Sequence, residues 1–372
     1  MQHIGFGGGD NGALSITSSV ADSVLDSTLS ASSGGTTGTG ETGLAFAQGD
    51  LVLLHYTQGT GHGNWEINEI TSYTSGTGAI VFTFTTANAY SITGSNKSQI
   101  LKIKEYTSME VSAAGTLTGK AWDRATGKGG ILCYVVQGDI NIAGSVTTTG
   151  KGFYTQGVSG ATPDGSPYFG IGYSGDSYNG VGSISNSPNG GGGGGGGAMS
   201  VNAGGGGAAY STSGTTATGS GSGGTGSTTT YGTADLSTIE LGSAGGDCHG
   251  DSAIGVGGPG GGICMLFFGG TLTVTGTLSS NGSPGEQRSS ASAGSGTGGS
   301  IHLSGGAVVA GTGLITANGA TSPSTTNTGG TGGEGRINIS ACSITGTTSP
   351  TANETEGGQD WCQSFIHIYG TN

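Results

Sequence analysis

Two stretches of the chain, ILCYVVQGDINIAGSVTTTG (residues 131–150) and ICMLFFGGTLTVTGTLSSNG (residues 263–282), align without a gap. In both, short apolar runs with alternating residues are followed by glycines at matching places. A third copy covers residues 301–319, and a shorter fourth copy covers residues 336–346. Such repeats are typical of a β-solenoid, in which each coil buries its apolar side chains by stacking on its neighbours. We therefore predict a glycine-rich parallel β-solenoid over residues 129–372.

The long gap between the first two copies contains eight consecutive glycines. Oligoglycine can adopt a polyproline-II helix, which has no internal hydrogen bonds, so its amides need partners in adjacent segments. We predict polyproline-II-like rods lying against the solenoid, with ordered surface loops as the alternative. The segments concerned are Gly190–Gly197, Gly204–Gly207, Gly257–Gly262 and Gly329–Gly335.

The chain before the repeats has fewer glycines and shows clear strand alternation. Its apolar runs lie at residues 50–56, 64–73, 79–85 and 99–106, and GTGHGN (59–64) is typical of a hairpin turn. The fold class is therefore all-β, with a small N-terminal β domain at residues 46–128 ahead of the solenoid. Residues 1–45 are predicted as a Ser/Thr/Gly-rich N-terminal segment with a short helix around Ser18–Leu29.

Composition limits the classes of function. Of the 372 residues, 86 are glycine and only nine are Lys or Arg, and the formal net charge is −13. The absence of a basic cluster argues against nucleic-acid binding, and no apolar run is long enough to predict a membrane span. An acidic, lysine-poor surface favours an extracellular, cell-surface or virion-surface location. MQHIGFGGGDNG lacks secretory-signal features, so we expect either a signal removed earlier or release by another route, such as lysis.

The five cysteines are Cys133, Cys248, Cys264, Cys342 and Cys362, and none has the spacing of a zinc site. We predict no metal site and no cofactor. Cys342 with Cys362 is the preferred disulfide candidate because both lie in the final segment. Cys248 with Cys264 is the second candidate, and buried free thiols are the alternative.

One segment, residues 153–178, is suited to recognition because it carries six aromatic side chains in a loop rich in glycine, proline and serine. Aromatic side chains on a loop held by a rigid scaffold bind sugars and proteins. We predict either contact with a foreign ligand or an interface between copies of the chain, with packing at the end of the solenoid as the third interpretation. The candidate residues are Phe153, Tyr154, Tyr168, Phe169, Tyr173 and Tyr178.

No arrangement of residues predicts catalysis. GDCHGD (246–251) contains Asp, Cys and His, but side chains so close in sequence rarely converge on one substrate, and we interpret it as an exposed loop. His55, His62, Glu66 and Glu69 flank the predicted hairpin and are interpreted as solvent-exposed. We therefore expect a protein that is not an enzyme.

Two stretches together resemble the N-terminal module of large glycine-rich β-helical surface proteins from environmental bacteria. They are GDLVLLHYTQGTGHGNWEINEITSY (49–73) and AWDRATGKGGILCYVVQGDINIAGSVTTTGKGF (121–153). The positions that match the family's motif are Trp122–Asp123, Gly127–Gly130, Gly138–Val146 and Gly150–Phe153. Arg124 and Lys128 inside the turn, and Tyr154 after it, depart from the pattern.

The later copies, which end in SSNG and TANG, resemble the glycine-rich tips of phage tail fibres and their adhesins, where glycine helices form a layered sandwich. The two resemblances imply an extracellular, non-catalytic role that is adhesive or structural. We therefore expect a homo-oligomeric structural protein that self-associates into a surface fibre, filament or coat. The alternative is a receptor-binding adhesin of a phage tail fibre or bacterial surface that contacts a glycan or protein receptor. The C-terminal WCQSFIHIY (361–369) is expected to cap the solenoid or to pair with the next subunit.

Overall fold

The computed structural model describes residues 9–155, 160–161, 172–185, 187, 193–200, 202–219, 221–250, 253–323 and 325–357. Within these ranges the chain forms 25 β-strands and no helix, so the all-β prediction is confirmed. In chain order the strands are β1 (Ala13–Ile16), β2 (Ser19–Ala21), β3 (Asp26–Thr28), β4 (Ser30–Ala31), β5 (Thr37–Thr39), β6 (Leu51–Gln58), β7 (Trp65–Thr74), β8 (Ala79–Phe82), β9 (Lys97–Lys102), β10 (Lys104–Tyr106), β11 (Ser108–Val111), β12 (Thr116–Thr118), β13 (Ile131–Val136), β14 (Ile140–Ile142), β15 (Ser145–Thr147), β16 (Gly160–Ala161), β17 (Cys248–His249), β18 (Ala253–Gly255), β19 (Ile263–Val274), β20 (Thr277–Ser279), β21 (Gln287–Arg288), β22 (Ala291–Ser292), β23 (Ser300–Thr316), β24 (Arg336–Ser349) and β25 (Asn353–Glu356).

Thirteen strands form one large sheet in which every pairing is parallel. The sheet is nearly closed on itself, and successive copies of the repeat lie one above another. We call this sheet the parallel coils. The gap-free alignment of the first two copies is confirmed residue by residue, since Ile131 pairs with Ile263 and Val146 pairs with Leu278. The third copy lies in β23, which pairs with β19, and the fourth lies in β24, which pairs with β23.

Apolar side chains from alternate positions of the coils meet inside and form the main core. Leu132, Ile140, Leu272, Val308 and Ile339 are each no more than 1% exposed. Beside them, outward positions such as Asn141, Thr273 and Ser340 are polar, which explains the alternation seen in these parts of the sequence. Stacking neighbours in register is what removes this apolar surface from water.

The parallel sheet begins earlier than residue 129. β1 pairs with β11, and β2 pairs with β12, so residues 13–21 and 108–118 belong to the coils. The expected helix around Ser18–Leu29 is wrong, because this segment supplies β2 and β3 instead. Pairing of Ser19–Ala21 with Thr116–Thr118 gives its backbone amides sheet partners, and a helix would lose that contact.

A seven-stranded antiparallel sheet, in the order β3-β9-β6-β7-β8-β5-β4, is inserted between the first two coils. The predicted hairpin is confirmed, since β6 and β7 pair from Leu51 opposite Glu69 to His55 opposite Trp65. One face of the sheet packs on the coils through Leu53, Ile67 and Leu101, and its other face has a separate core. This contact fixes the hairpin beside the region described next.

Candidate functional site: the glycine stack and the aromatic row

Most of the chain between β15 and β19, with the loops after β20 and β23, runs in short segments outside the parallel sheet. We call the following segments the glycine stack: residues 172–176, 193–199, 203–209, 223–227, 242–247, 257–261, 293–298 and 327–335. Their glycines are almost all buried. Two of the four predicted rods lie here in full, a third lies here except for Gly262, and the fourth is described from residue 193 onward.

The amides of one segment donate to several different neighbours in turn. Gly195 donates to Ala244 O, Gly196 to Thr225 O, Gly197 to Ser185 O, Ala198 to Asp247 O and Met199 to Ser222 O, at 2.7 to 3.0 Å. Amides three residues apart therefore bond to the same neighbouring segment. The second glycine run repeats the pattern, with Gly205 and Ala208 donating to Ser292 and Ser295, and Gly206 and Ala209 donating to Gly196 and Gly193.

Glycine is required in the stack because backbones touch there directly. A Cβ atom on Gly206 would lie against the carbonyl oxygen of Thr225, and one on Gly294 would lie against that of Gly206, both well inside 3.0 Å. Real Cβ atoms essentially never approach another heavy atom so closely. Side chains are therefore excluded by main chain, which cannot move aside without breaking further hydrogen bonds.

Two fully buried carboxylates cross-link the stack. Asp247 accepts hydrogen bonds from the Thr155 hydroxyl (2.7 Å) and the Gly257 amide (2.9 Å), and Asp176 pairs with the Arg124 guanidinium (2.7 Å). Burial raises the pKa of both carboxyl groups to about 6, although the hydrogen bonds and Arg124 act in the opposite direction. In the described part of the chain, Arg124 is the one cation that pairs with either carboxylate.

The interpretation of GDCHGD as an exposed loop is corrected by the structure. Asp247, Cys248 and His249 are each 0% exposed, and Cys248–His249 forms strand β17 at one end of the stack. Burial raises the pKa of the Cys248 thiol to about 12, which keeps it protonated and poorly nucleophilic. His55, expected to be solvent-exposed, is also completely buried.

The six aromatic candidates do not form one exposed group. Phe153 is completely buried against Trp122, at 5.6 Å between ring centroids. The prediction that it contacts a ligand or another copy of the chain is therefore corrected. Tyr154 is half-buried beneath Arg124, and Tyr173 is half-buried where its amide donates to Asp247. Tyr178 is half-buried between other rings. Tyr168 and Phe169 lie outside the described residues.

Tyr178 belongs to a row of packed rings that the sequence did not indicate. The ring centroid of His62 lies 4.1 Å from that of Tyr178, Tyr178 lies 4.4 Å from Tyr231, and Tyr231 stacks on Tyr210 at 4.5 Å. The Arg336 guanidinium lies over Tyr210 at the far end. The row joins the hairpin, the glycine stack and β24. Isolated tyrosines in glycine-rich sequence carry no periodic signal, so only the structure could bring them together.

The disulfide candidates have different outcomes. Cys342 is disulfide-bonded, while Cys362 lies outside the described residues, as does the C-terminal stretch 361–369. The pairing of Cys248 with Cys264 is corrected, because both are buried free thiols. The two residues lie on different elements, with Cys264 inside the core of the coils and Cys248 at the end of the stack.

In the part of the chain that the structure describes, no three His, Cys, Asp or Glu side chains are grouped so that they could hold a metal ion. That same part contains no helix with the length and apolarity needed to cross a membrane. Comparison with known proteins gives no match, either to a protein-family model or to a curated protein.

Proposed function

We propose that this chain is a non-catalytic extracellular structural protein that self-associates into a surface fibre, filament or coat. We also propose that the segments of the glycine stack are polyproline-II-type helices packed side by side. The observation that supports both is the three-residue repeat of hydrogen bonds, since a polyproline-II helix has three residues per turn and bonds only to neighbours.

A stack of this kind suits a passive mechanical role. Its interior consists of main chain bonded in several directions, so each segment is held by more than one neighbour. Rigid elements of this type resist local opening, because exposing one segment breaks bonds to several others at once. An active site, by contrast, needs side chains that converge on a reacting group, and the stack contains mainly glycine.

The N-terminal edge of the coils is the surface that fits self-association best. Among the described strands, β1 and β2 each pair on one side only, and residues 11–21 (NGALSITSSVA) carry no charge and no proline. The outermost strand at the other end, β25, carries two exposed glutamates, Glu354 and Glu356. Charged edge strands resist pairing with another chain, while an uncharged edge invites it.

Sedimentation velocity across a concentration series, with electron micrographs of the same samples, tests the proposal. We expect concentration-dependent polymers, and we expect Val20→Lys to abolish them because lysine at a sheet edge blocks pairing. Val20 is 39% exposed on β2, and the matched control Val181→Lys replaces another valine, 49% exposed, outside the edge. A wild-type chain that stays monomeric at every concentration contradicts the proposal.

A receptor-binding adhesin is the second candidate function. It is favoured by two non-glycine residues with left-handed backbones, Asn202 (φ 54°) and Ser289 (φ 36°), in loops at one end of the glycine stack. The two loops meet through a hydrogen bond from Ser290 Oγ to Asn202 Oδ1 of 2.7 Å. Strained backbone is concentrated at functional sites. Binding of the labelled chain to immobilised bacterial surface glycans and outer membranes, lost in a Ser290→Ala variant, would support this function over the first.

A further inference from the structure

One short segment, residues 233–240 (TADLSTIE), passes between the β6–β7 hairpin and the parallel coils, and we call it the strap. The Ile239 amide donates to Gly63 O at 2.9 Å, and the Trp65 indole N–H donates to Leu236 O at 3.0 Å. On the side of the coils, the Ser300 hydroxyl donates to Glu240 O at 2.7 Å. The strap contains no strand, and its buried Leu236 has a left-handed backbone, with φ of 54°.

Three of the four histidines in the described ranges surround this strap. His55 Nε2 lies 2.9 Å from Ile239 O, and His62 Nδ1 lies 2.5 Å from Glu240 Oε1. His302 packs edge-on against Trp65, at 5.7 Å between ring centroids, and is close enough to Asp235 for an electrostatic interaction. The fourth, His249, lies in β17.

His55 is held in its neutral form by its partners. Because Nε2 must donate to the carbonyl of Ile239, Nδ1 is the acceptor for the Thr57 hydroxyl at 2.8 Å. Thr57 Oγ1 in turn accepts from Gln99 Nε2 at 2.9 Å, so its own hydrogen points at His55. A second proton on His55 would oppose that hydrogen. Burial lowers the pKa of His55 to about 4.

His302 is enclosed by Trp65 and Phe267, with 5.6 Å between its ring centroid and that of Phe267. Its Nδ1 atom is buried and has no hydrogen-bond partner among the described residues. Burial lowers the pKa of this imidazole also to about 4. Protonation would therefore place a positive charge in an enclosed position under the strap, where the exposed Asp235 carboxylate compensates it only in part.

The other charged and titratable groups around the strap are not expected to release it in acid, so the proposed pH dependence rests on His55 and His302. Glu240 is buried and faces His62, with 2.5 Å between Oε1 and Nδ1. Arg336 reaches the region from β24 and donates to Tyr231 O. Tyr178, Tyr210 and Tyr231 carry raised pKa values because of burial and stay neutral in acid. Asp235 is exposed at the outer end of the strap.

We propose that the strap is an acid-sensitive clamp: protonation of His55 and His302 releases residues 233–240 from the hairpin and the coils while both sheets stay folded. The inference does not depend on the proposed function. A histidine whose folded pKa lies near 4, below its usual 6.5, stabilises the closed strap above pH 6.5. That stabilisation is lost as the pH falls from 6.5 towards 4, by roughly 30-fold per histidine at pH 5.

Hydrogen exchange of the full chain at pH 7.5, 6.0, 5.0 and 4.5, corrected for intrinsic rates, tests the clamp. We expect peptides covering the strap to lose protection by roughly 700-fold between pH 7.5 and pH 5, while peptides from β13 and β6 keep theirs. The double variant His55→Gln/His302→Gln retains amide donors but cannot take up a proton, so its strap protection should not change with pH. His249→Gln, altered at a histidine away from the strap, should behave like the wild type.

Two results would overturn the clamp. The first is a wild-type strap whose protection relative to β13 does not change between pH 7.5 and 4.5, a measurement that needs no variant to fold. The second is a folded double variant that still opens on acidification. Should the double variant not fold, His302→Gln alone is expected to remove about half of the change in the logarithm of the strap's protection factor between pH 7.5 and 5. A pH profile of protection equal to that of the wild type contradicts the proposal.

Discussion

The parallel coils and the glycine stack fill their interiors in opposite ways. In the coils, main chains are held apart at sheet spacing and apolar side chains fill the space between them, as Ile140 and Leu272 do. In the stack, side chains are few and main chain packs on main chain, as Gly206 and Gly196 do. The coils therefore accept exchange among Ile, Leu and Val at one position, while the stack accepts only glycine where backbones touch.

The largest expected effect is on the stack. Gly206→Ala places a Cβ against the Thr225 carbonyl and should destabilise the protein by on the order of 5 kcal/mol, since neither backbone can move without losing hydrogen bonds. Urea unfolding measures the change. The control is Gly76→Ala, because nothing lies within 4 Å of a Cβ at that exposed turn. Equal effects of the two substitutions would contradict the contrast between the two regions.

The next largest effect is expected from substitutions in the core of the parallel coils. Leu272→Ala should leave a cavity in the main core and lower the free energy of unfolding by about 2–5 kcal/mol. Leu272→Ile should lower it by less than about 1.5 kcal/mol, because volume is conserved and the neighbouring coils carry Ile140 and Val308 at this position. A conservative variant as damaging as the alanine variant would show that the coils are as intolerant as the stack.

A smaller effect is expected on the pH dependence of the free energy of unfolding. The pKa of Asp247 is raised to about 6, so its contribution to stability is present in acid and is lost as the pH rises through 6. Relative to the wild type, Asp247→Asn should therefore gain about 1–2 kcal/mol between pH 5 and pH 8. The comparison must be made as a difference from the wild type, because His55 and His302 change stability in the opposite direction.

The control for this titration is Asp10→Asn, an exposed aspartate outside the stack. Urea unfolding of all three proteins at four pH values gives the slopes. If Asp247→Asn and Asp10→Asn show the same slope as the wild type, the buried carboxylate has no role in the pH dependence of the stack.

The smallest effect is expected on the outer surface of the coils. Thr277→Ala removes a 3.1 Å hydrogen bond to Ser145 from an exposed position and should cost less than about 0.5 kcal/mol. Thermal unfolding against the wild type measures it, with Thr275→Ala, also exposed and next to a turn, as the control. A loss above about 1.5 kcal/mol for Thr277→Ala alone would show that hydroxyl ladders, and not the apolar core, hold neighbouring coils together.

The sequence was most informative where side chains repeat. The alignment of residues 131–150 with 263–282 predicted the register of β13 on β19, because period-2 alternation and glycine corners survive any insertion between coils. It did not reveal the coil made by β1 and β2, whose seven residues are too few for a periodic signal. Their place in the sheet is decided by pairing with β11 and β12.

The site was less predictable than the fold. Glycine composition located the segments of the stack, but which segments bond to one another depends on a three-dimensional arrangement with no side-chain pattern to read. The aromatic loop is a cluster of rings in sequence, yet the structure separates the four members that it describes and joins Tyr178 to Tyr210 and Tyr231 instead. The strap was missed because its histidines come from two distant elements, the β6–β7 hairpin and β23.

The in-register pairing of β15 and β20 has a consequence for how the chain is made. Thr147 and Ser279 bond to each other although they are 132 residues apart. At ribosomal speeds of about 5–20 residues per second, the coil that contains β13 waits roughly 7–26 s for its partner to be synthesised. During that interval six apolar residues, Ile131–Val136, have no neighbouring coil above them. Soluble yield should therefore depend on how fast translation delivers residues 148–262, and on chaperones that cover nascent strands.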